Sequence, residues 1–189
     1  MVAVTPRRLA RLSLRLLAGL CLLLPGLAAA QDPAREGEVR IKAAFLSKFG
    51  DFVEWPPAAF RDAGTPFVIA VMGSADVAAE LERVARSRVV QARPVAVRRL
   101  RRGERLEGVH VLFVGAAEEA NLGEILAAAA GRPVLTVTES EGALEQGSMI
   151  NFIAAEDKVR FDIALPAAEL GQLRISARLL GVARKVVPG

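Results

Sequence analysis

His110 is the only histidine in the chain and Cys21 the only cysteine. A tetrahedral zinc site draws its ligands largely from His and Cys, and a Ser-His-Asp triad or Cys-His pair needs an imidazole beside its nucleophile. Such sites fail on this inventory, so no catalytic or metal-ligating set is assigned. His110 lies in the apolar run Val109–Val114, where a structural imidazole with satisfied hydrogen bonds is the first reading. Gly73-Ser74-Ala75-Asp76 follows one apolar run and opens a helical pattern. Turns of that kind can cradle phosphate. This one lacks the further glycines of a dinucleotide fingerprint and the lysine of a P-loop. It reads as an ordinary strand–helix turn, and no cofactor is expected.

The remaining polar candidates are binding groups. Asp162 is the one carboxylate isolated inside an apolar run; a surface ion pair with Arg160, on the same face of an alternating strand, is the first reading, and general acid–base work the alternative. Asn151 interrupts Met149-Ile150-Asn151-Phe152-Ile153. A buried amide must find partners, so Asn151 either ties strand to loop or points into a ligand pocket. Arg174, Arg178, Arg184 and Lys185 form a basic cluster near the C-terminus. They either complement the negative end of the last helix or line an anion pocket. The second reading makes Asn151, Arg174 and Arg178 the candidate ligand-binding set, for a small anionic or aromatic molecule.

From Glu82 to Glu107 the chain carries nine arginines (83, 86, 88, 93, 98, 99, 101, 102 and 105) against three acids. This is either a solvated face or a patch for an acidic partner, an anionic ligand or lipid headgroups. Aromatic residues do not interleave these arginines, which argues against nucleic acid. Arg98 and Arg99 are the candidate cations for a protein partner. Trp55, beside Pro56-Pro57, and Phe152 are the candidate aromatic anchors; the competing reading places Trp55 in the core of its own monomer.

These groups must be positioned by a regular framework. Ile41, Phe45, Phe49 and Phe52 or Val53 recur with helical spacing from Glu38, and the pattern stops near Pro56-Pro57. Phe67–Met72 reads as a buried strand. Ser74 is placed to cap a helix with Val77, Leu81 and Val84 on one face. Val95–Val97, Val109–Val114 and Val134–Val137 read as further strands, with an alanine-rich helix opened by Glu118 and Glu119 before the last. Ser148–Ile153 and Val159–Leu165 read as a hairpin linked through Ala155-Glu156-Asp157-Lys158. A final helix is expected after Ser176, with Leu179, Val182 or Ala183, and Val186 inward. The fold class is therefore α/β: a single domain with a mainly parallel sheet flanked by helices and a late antiparallel hairpin.

The N-terminal 30 residues follow a different plan. Arg7, Arg8, Arg11 and Arg15 precede an apolar run from Leu16 to Leu24, then Pro25-Gly26 and Ala28-Ala29-Ala30. That is the order of a cleavable secretory signal peptide, which predicts a periplasmic protein. A retained anchor is one alternative, although the run is about half of the ~20 residues a transmembrane helix needs. A lipoprotein is the other, with Leu20 standing where a small residue should precede Cys21. Residues 31–37 read as a flexible lead and 38–189 as the domain. The segment 1–30 holds four of the 25 Lys+Arg and none of the 21 Asp+Glu. The exported remainder is formally neutral, so whole-chain basicity says nothing about nucleic acid. It also loses Cys21, and with it any disulfide.

Taken in order, these segments resemble the YfiR family of exported bacterial regulators. The likeness is carried by Ile41-Lys42-Ala43-Ala44-Phe45-Leu46 through Phe52-Val53-Glu54-Trp55-Pro56 and by Phe67–Gly73. It continues in Leu135–Ser140, Gly147-Ser148-Met149-Ile150-Asn151-Phe152, Val159–Ile163 and Leu173–Leu180. The resemblance implies a periplasmic, non-enzymatic α/β domain, commonly a homodimer. Its partner would be the periplasmic sensor domain of an inner-membrane diguanylate cyclase of the YfiN type, whose cyclic-di-GMP output it represses, restraining biofilm formation. The family also includes sensor segments attached to histidine kinases, so another signalling partner is an alternative. Some members use disulfides as redox-sensitive staples, which a cysteine-free exported chain lacks.

Overall fold

The computed structural model describes residues 32–155 and 158–189. The expected signal peptide and the hairpin link Glu156-Asp157 lie outside the described residues. The first helix, α1 (Pro33–Phe49), begins earlier than the sequence pattern indicates. Proline suits the first helical turn because its fixed φ and missing N–H cost nothing there, so most of the expected flexible lead is helical. The buried stripe is Ala43, Leu46, Ser47 and Phe49, while Ile41 faces solvent. Small Ala43 lets α1 approach its neighbour closely. The helix ends at Gly50, before the prolines, where a Cβ would stand 2.6 Å from Val90 Cγ1 and 2.9 Å from Phe67 Cζ. No side chain fits that crossing.

The strands are β1 (Val53–Glu54), β2 (Phe67–Met72), β3 (Val89–Val90), β4 (Arg93–Arg99), β5 (Val111–Val114), β6 (Leu135–Thr138), β7 (Ile150–Ala155), β8 (Lys158–Ala164), β9 (Arg174–Ile175) and β10 (Lys185–Val187). Eight of them form one sheet in the order β10-β8-β7-β6-β5-β2-β4-β3. β4, β2, β5, β6 and β7 run parallel, β8 returns antiparallel against β7, and β10 runs parallel to β8. β1 and β9 pair separately as a small antiparallel ribbon. This is the expected α/β class, with the late hairpin in place.

Alternate residues of each strand point to opposite faces, and two apolar layers result. On one face α1 and α2 (Ala75–Ala85) cover Phe67, Ile69, Val71, Val111, Phe113, Leu135, Val137, Ile150 and Phe152. Phe45, Phe49, Phe152 and Phe161 stack there with ring centroids 5.3–6.1 Å apart. On the other face α3 (Leu122–Ala129) covers Val68, Ala70, Met72, Leu112 and Val114. α3 follows a 3-10 turn, Ala116–Asn121, that holds Glu118 and Glu119. Ser74 occupies the N-cap position of α2 without a side-chain cap bond.

The C-terminal region departs most from expectation. A short helix α4 (Leu165–Leu170) follows β8, and the helix after Ser176, α5, spans only Ala177–Leu180. Ser176 does cap it, accepting the Leu179 N–H at 3.4 Å. Gly181 ends the helix, and Lys185–Val187 is the strand β10. Val182 is accordingly exposed, and Ala183, the other residue expected at that position, packs against the core. Among the described residues no helix is long and apolar enough to cross a membrane.

Candidate functional site

Open parallel sheets bind ligands beyond the carboxyl ends of their strands, at the point where the crossover direction reverses. Here the chain passes from β2 outward to β4, then back across β2 to β5, so that point lies between β2 and β5. Gly73 follows β2 with φ 73°, and a Cβ on it would meet Gly115 O at 3.1 Å and Glu118 Cγ at 2.9 Å. Reciprocally, a Cβ on Gly115, after β5, would lie 2.7 Å from Gly73 O. The two turns pack directly on each other and fill the crevice. The Gly73-Ser74 turn is thus a packing element.

The next position along the rim is closed as well. Glu139, following β6, accepts the Ala116 N–H at 2.8 Å and pairs with Lys42 of α1, which also pairs with Glu38. Burial opposes the Lys42 charge, but hydrogen bonds to Glu139 and Glu38 outweigh it and raise the Lys42 pKa above the ordinary lysine value. Glu139 lies 97 residues from Lys42 in the chain, a pairing that no local spacing reveals.

His110 is a structural residue, as expected, and its role is specific. Its backbone N–H reaches Val68 O at 3.0 Å, and its Nδ1 accepts the Val68 N–H at 3.0 Å. The ladder between β2 and β5 starts only at Ile69↔Val111, so the ring completes the pairing one step early. Nε2 donates to Ala59 O at 3.3 Å. The ring stacks between Phe60 and Phe67, at 4.4 and 5.1 Å, and Trp55 meets Phe67 edge-on at 5.0 Å. Arg93 closes the other end, 4.1 Å from the Phe60 centroid, while its Nη1 donates to the carbonyls of Asp62, Ala63 and Thr65. Burial pushes the His110 pKa below its ordinary value; the Ala59 bond opposes that and the Arg93 charge adds to it.

The candidate binding residues do not converge. Asn151 is buried and its Oδ1 accepts the Thr138 hydroxyl at 2.7 Å; Thr138 Oγ1 also lies 2.9 Å from Ser148 Oγ. It therefore ties β7 to β6. Arg174 is exposed on β9 and Arg178 on α5. Arg174 lies outside the last helix, so helix-end complementation does not describe it. It lines an open cavity of about 580 Å³ with Glu54, Trp55, Pro56, Pro57, Glu169, Gln172 and Leu173; neither Asn151 nor Arg178 contributes to that lining.

Phe152, offered as a partner anchor, is 2 % exposed inside the phenylalanine cluster. Its strand register points it into the core, which removes it from any docking surface of this conformation. Trp55 is 8 % exposed, so the core reading prevails, although one side lines the cavity. Its indole N–H is buried and has no hydrogen-bond partner among the described residues. Asp162 does not pair with Arg160. It is buried at the sheet and receives Arg184 in a two-point contact, Nε to Oδ1 at 2.9 Å and Nη2 to Oδ2. β10 lies directly beside β8 and delivers Arg184, a neighbour that strand alternation alone could not reveal.

Most of the arginine-rich segment is engaged within the chain. Arg83 pairs with Glu80, Arg88 with Asp51, and Arg99 with Glu82; Arg98 donates to Glu107 O and Arg102 to Asn121 Oδ1. Arg98 is half-buried and Arg99 exposed, both on β4. Among the described residues no three His, Cys, Asp or Glu side chains are gathered as a metal ion would require. Comparison with curated proteins finds no match. The family comparison gives a definite result: the profile described as YfiR/HmsC-like matches residues 39–184, and the chain belongs to that family.

Proposed function

We propose that this chain is a periplasmic negative regulator that binds the periplasmic sensor domain of an inner-membrane diguanylate cyclase and lowers cyclic-di-GMP. The observation that carries the reading is the YfiR/HmsC-like match, which spans almost the whole described domain. The closed switch point supports it, because the place where a sheet of this kind would hold a nucleotide is filled by Gly73 and Gly115. A regulator of this type works through surface rather than chemistry and needs no cofactor. Homodimerisation and restraint of biofilm formation belong to the same proposal.

The test is cellular cyclic-di-GMP with the gene intact and deleted, complemented by the full chain or by one lacking residues 2–30. A rise on deletion reversed only by the exported copy is the expected result. No change on deletion, in cells demonstrably making the protein, would sink the cyclase reading.

A second reading rests on the Trp55–Arg174 cavity, which sets an aromatic face and two prolines beside a guanidinium and the carboxylates Glu54 and Glu169. It makes the protein a small-molecule sensor acting on a partner such as a histidine kinase. Arg174→Ala should then abolish ligand-induced stabilisation while leaving the unliganded melting temperature unchanged. Equal stabilisation of both forms would remove this site.

A further inference from the structure

The outer edge of β4 is open along most of its length. β3 covers only Arg93 and Pro94, while β2 pairs with the other side along Val95–Arg99. Parity identifies the free groups. Leu100 N–H reaches Val71 O at 2.9 Å, toward β2, whereas Val95 N–H reaches Arg88 O at 3.1 Å, on the opposite side. The N–H and C=O of one residue in a parallel ladder point the same way, and the direction alternates along the strand. Val97 and Arg99 therefore turn both backbone groups outward, past the end of β3, where no backbone partner meets them among the described residues.

The side chains along this edge are half-buried and apolar: Val95 and Val97 pack toward α1 and α2, and Ala96 toward the α3 face. Arginines flank both faces. Arg99 stands on the α2 side, 52 % exposed even in its ion pair with Glu82, and Arg98 stands on the other. Arg86, exposed at the end of α2, adds its charge near Glu82. Charges on an edge oppose self-association. A second copy laid antiparallel about Val97 would set Arg98 opposite Ala96 and Arg99 opposite Val95 of the other copy, so each cation would face an apolar residue rather than a carboxylate. An acidic strand would meet the same cations favourably.

From this edge we infer that Val95–Arg99 receives an extended acidic segment of a partner protein by strand addition. The inference rests on the reading that the chain acts by docking, and it names the surface that docks. Val97 and Arg99 supply the ladder, while Arg98 and Arg99 select for carboxylates on either side of the added strand.

The probe is a synthetic strand-forming, Val-rich peptide with Glu at two consecutive positions, so that a carboxylate stands on each face of the strand, compared with the same peptide carrying Lys in place of Glu. Amide hydrogen exchange is read in the exported protein. The Glu peptide should slow exchange at Val97 and Arg99, and the Lys peptide should not. Val97→Pro removes an outward N–H, at a sheet edge where proline is tolerated, together with part of the Val97 packing on α1 and α2, and should weaken the Glu peptide about tenfold. Its fold is checked by thermal melting. If Val97→Pro does not fold, the double variant Arg98→Glu/Arg99→Glu decides instead, by reversing the preference between the peptides.

Unchanged exchange at Val97 and Arg99, or equal protection by both peptides, would overturn the inference. So would protection that grows with protein concentration alone, which would assign the edge to a second copy. In cells, a Val97→Pro chain that represses normally, where deletion raises cyclic-di-GMP, removes the edge and leaves the docking function standing. If deletion changes nothing, the function fails and the exchange experiment still decides the edge.

Discussion

Replacing His110 by phenylalanine separates its packing from its hydrogen bonding. The new ring can remain between Phe60 and Phe67. It has no Nδ1, so the Val68 N–H loses the acceptor it now reaches at 3.0 Å. β5 begins one residue too late to replace it, and Val68 is buried. Leaving a buried N–H unsatisfied costs about 1–3 kcal/mol, which in a domain of this size is roughly 3–10 °C in Tm. Calorimetry or a urea titration of both proteins measures it. A His110→Phe protein as stable as the parent would refute the claim that the imidazole completes the β2–β5 pairing.

The same residue predicts a pH dependence with a defined sign. Burial holds the folded-state pKa of His110 below its ordinary value, while in the unfolded chain it returns to about 6.5. Between those two values the unfolded state binds the extra proton, so stability rises with pH in that window. His110 therefore contributes a stability that is fully present above about pH 6.5 and declines as the pH falls below it. The decline ends at the folded-state pKa. In His110→Phe this component of the pH profile should vanish, and its persistence would assign the slope to other groups.

Three further outcomes follow from local geometry. Ala92 sits in the β3–β4 turn at φ 63°, so Ala92→Gly should raise stability by about 1 kcal/mol in urea denaturation. Gly115→Ala should destabilise by about 1–3 kcal/mol, because its Cβ would stand 2.7 Å from a backbone oxygen that cannot move away cheaply. Arg184→Ala should lower the urea midpoint more than Arg160→Ala does, since only the former strips the buried Asp162 of its paired cation. Equal midpoints would mean that the Arg184–Asp162 contact contributes nothing.

Sequence periodicity was most informative where burial is continuous. Phe67–Met72 lies on both apolar layers at once, and its run of six buried residues leaves no alternative to a central strand. The short elements were illegible for the opposite reason. β1, β3, β9 and β10 have two or three residues each, too few to carry a period; β3 and β10 form on edges that β4 and β8 already offer, and β1 and β9 only on each other. Ionic partners fail likewise: Lys42 with Glu139 and Asp162 with Arg184 are joined by topology over 97 and 22 residues. Phe152 shows how composition misleads, since an aromatic residue suited to an interface is equally suited to a core, and strand register decides between them.

Those observations also explain why the candidate residues scattered. The rim where a sheet of this topology usually assembles a ligand site is occupied by its own backbone at Gly73 and Gly115 and by the Lys42–Glu139 contact. The two surfaces proposed above lie at the periphery, where the β1–β9 ribbon leaves the Trp55–Arg174 cavity open and the outer ladder of β4 is unpaired among the described residues. The first suits a small molecule and the second an extended chain. Both surfaces lean on the Arg93–Phe60–His110–Phe67–Trp55 stack: Trp55 lines the cavity, and Arg93 opens β4. A regulator that senses one molecule and releases another requires two sites joined by an element with two states. This stack is one packed connection between the two surfaces that such coupling can use. Arg93→Ala should therefore be read at both surfaces: coupling through the stack predicts altered peptide protection at Val97 together with altered ligand stabilisation. A change confined to one surface would show that the two act independently.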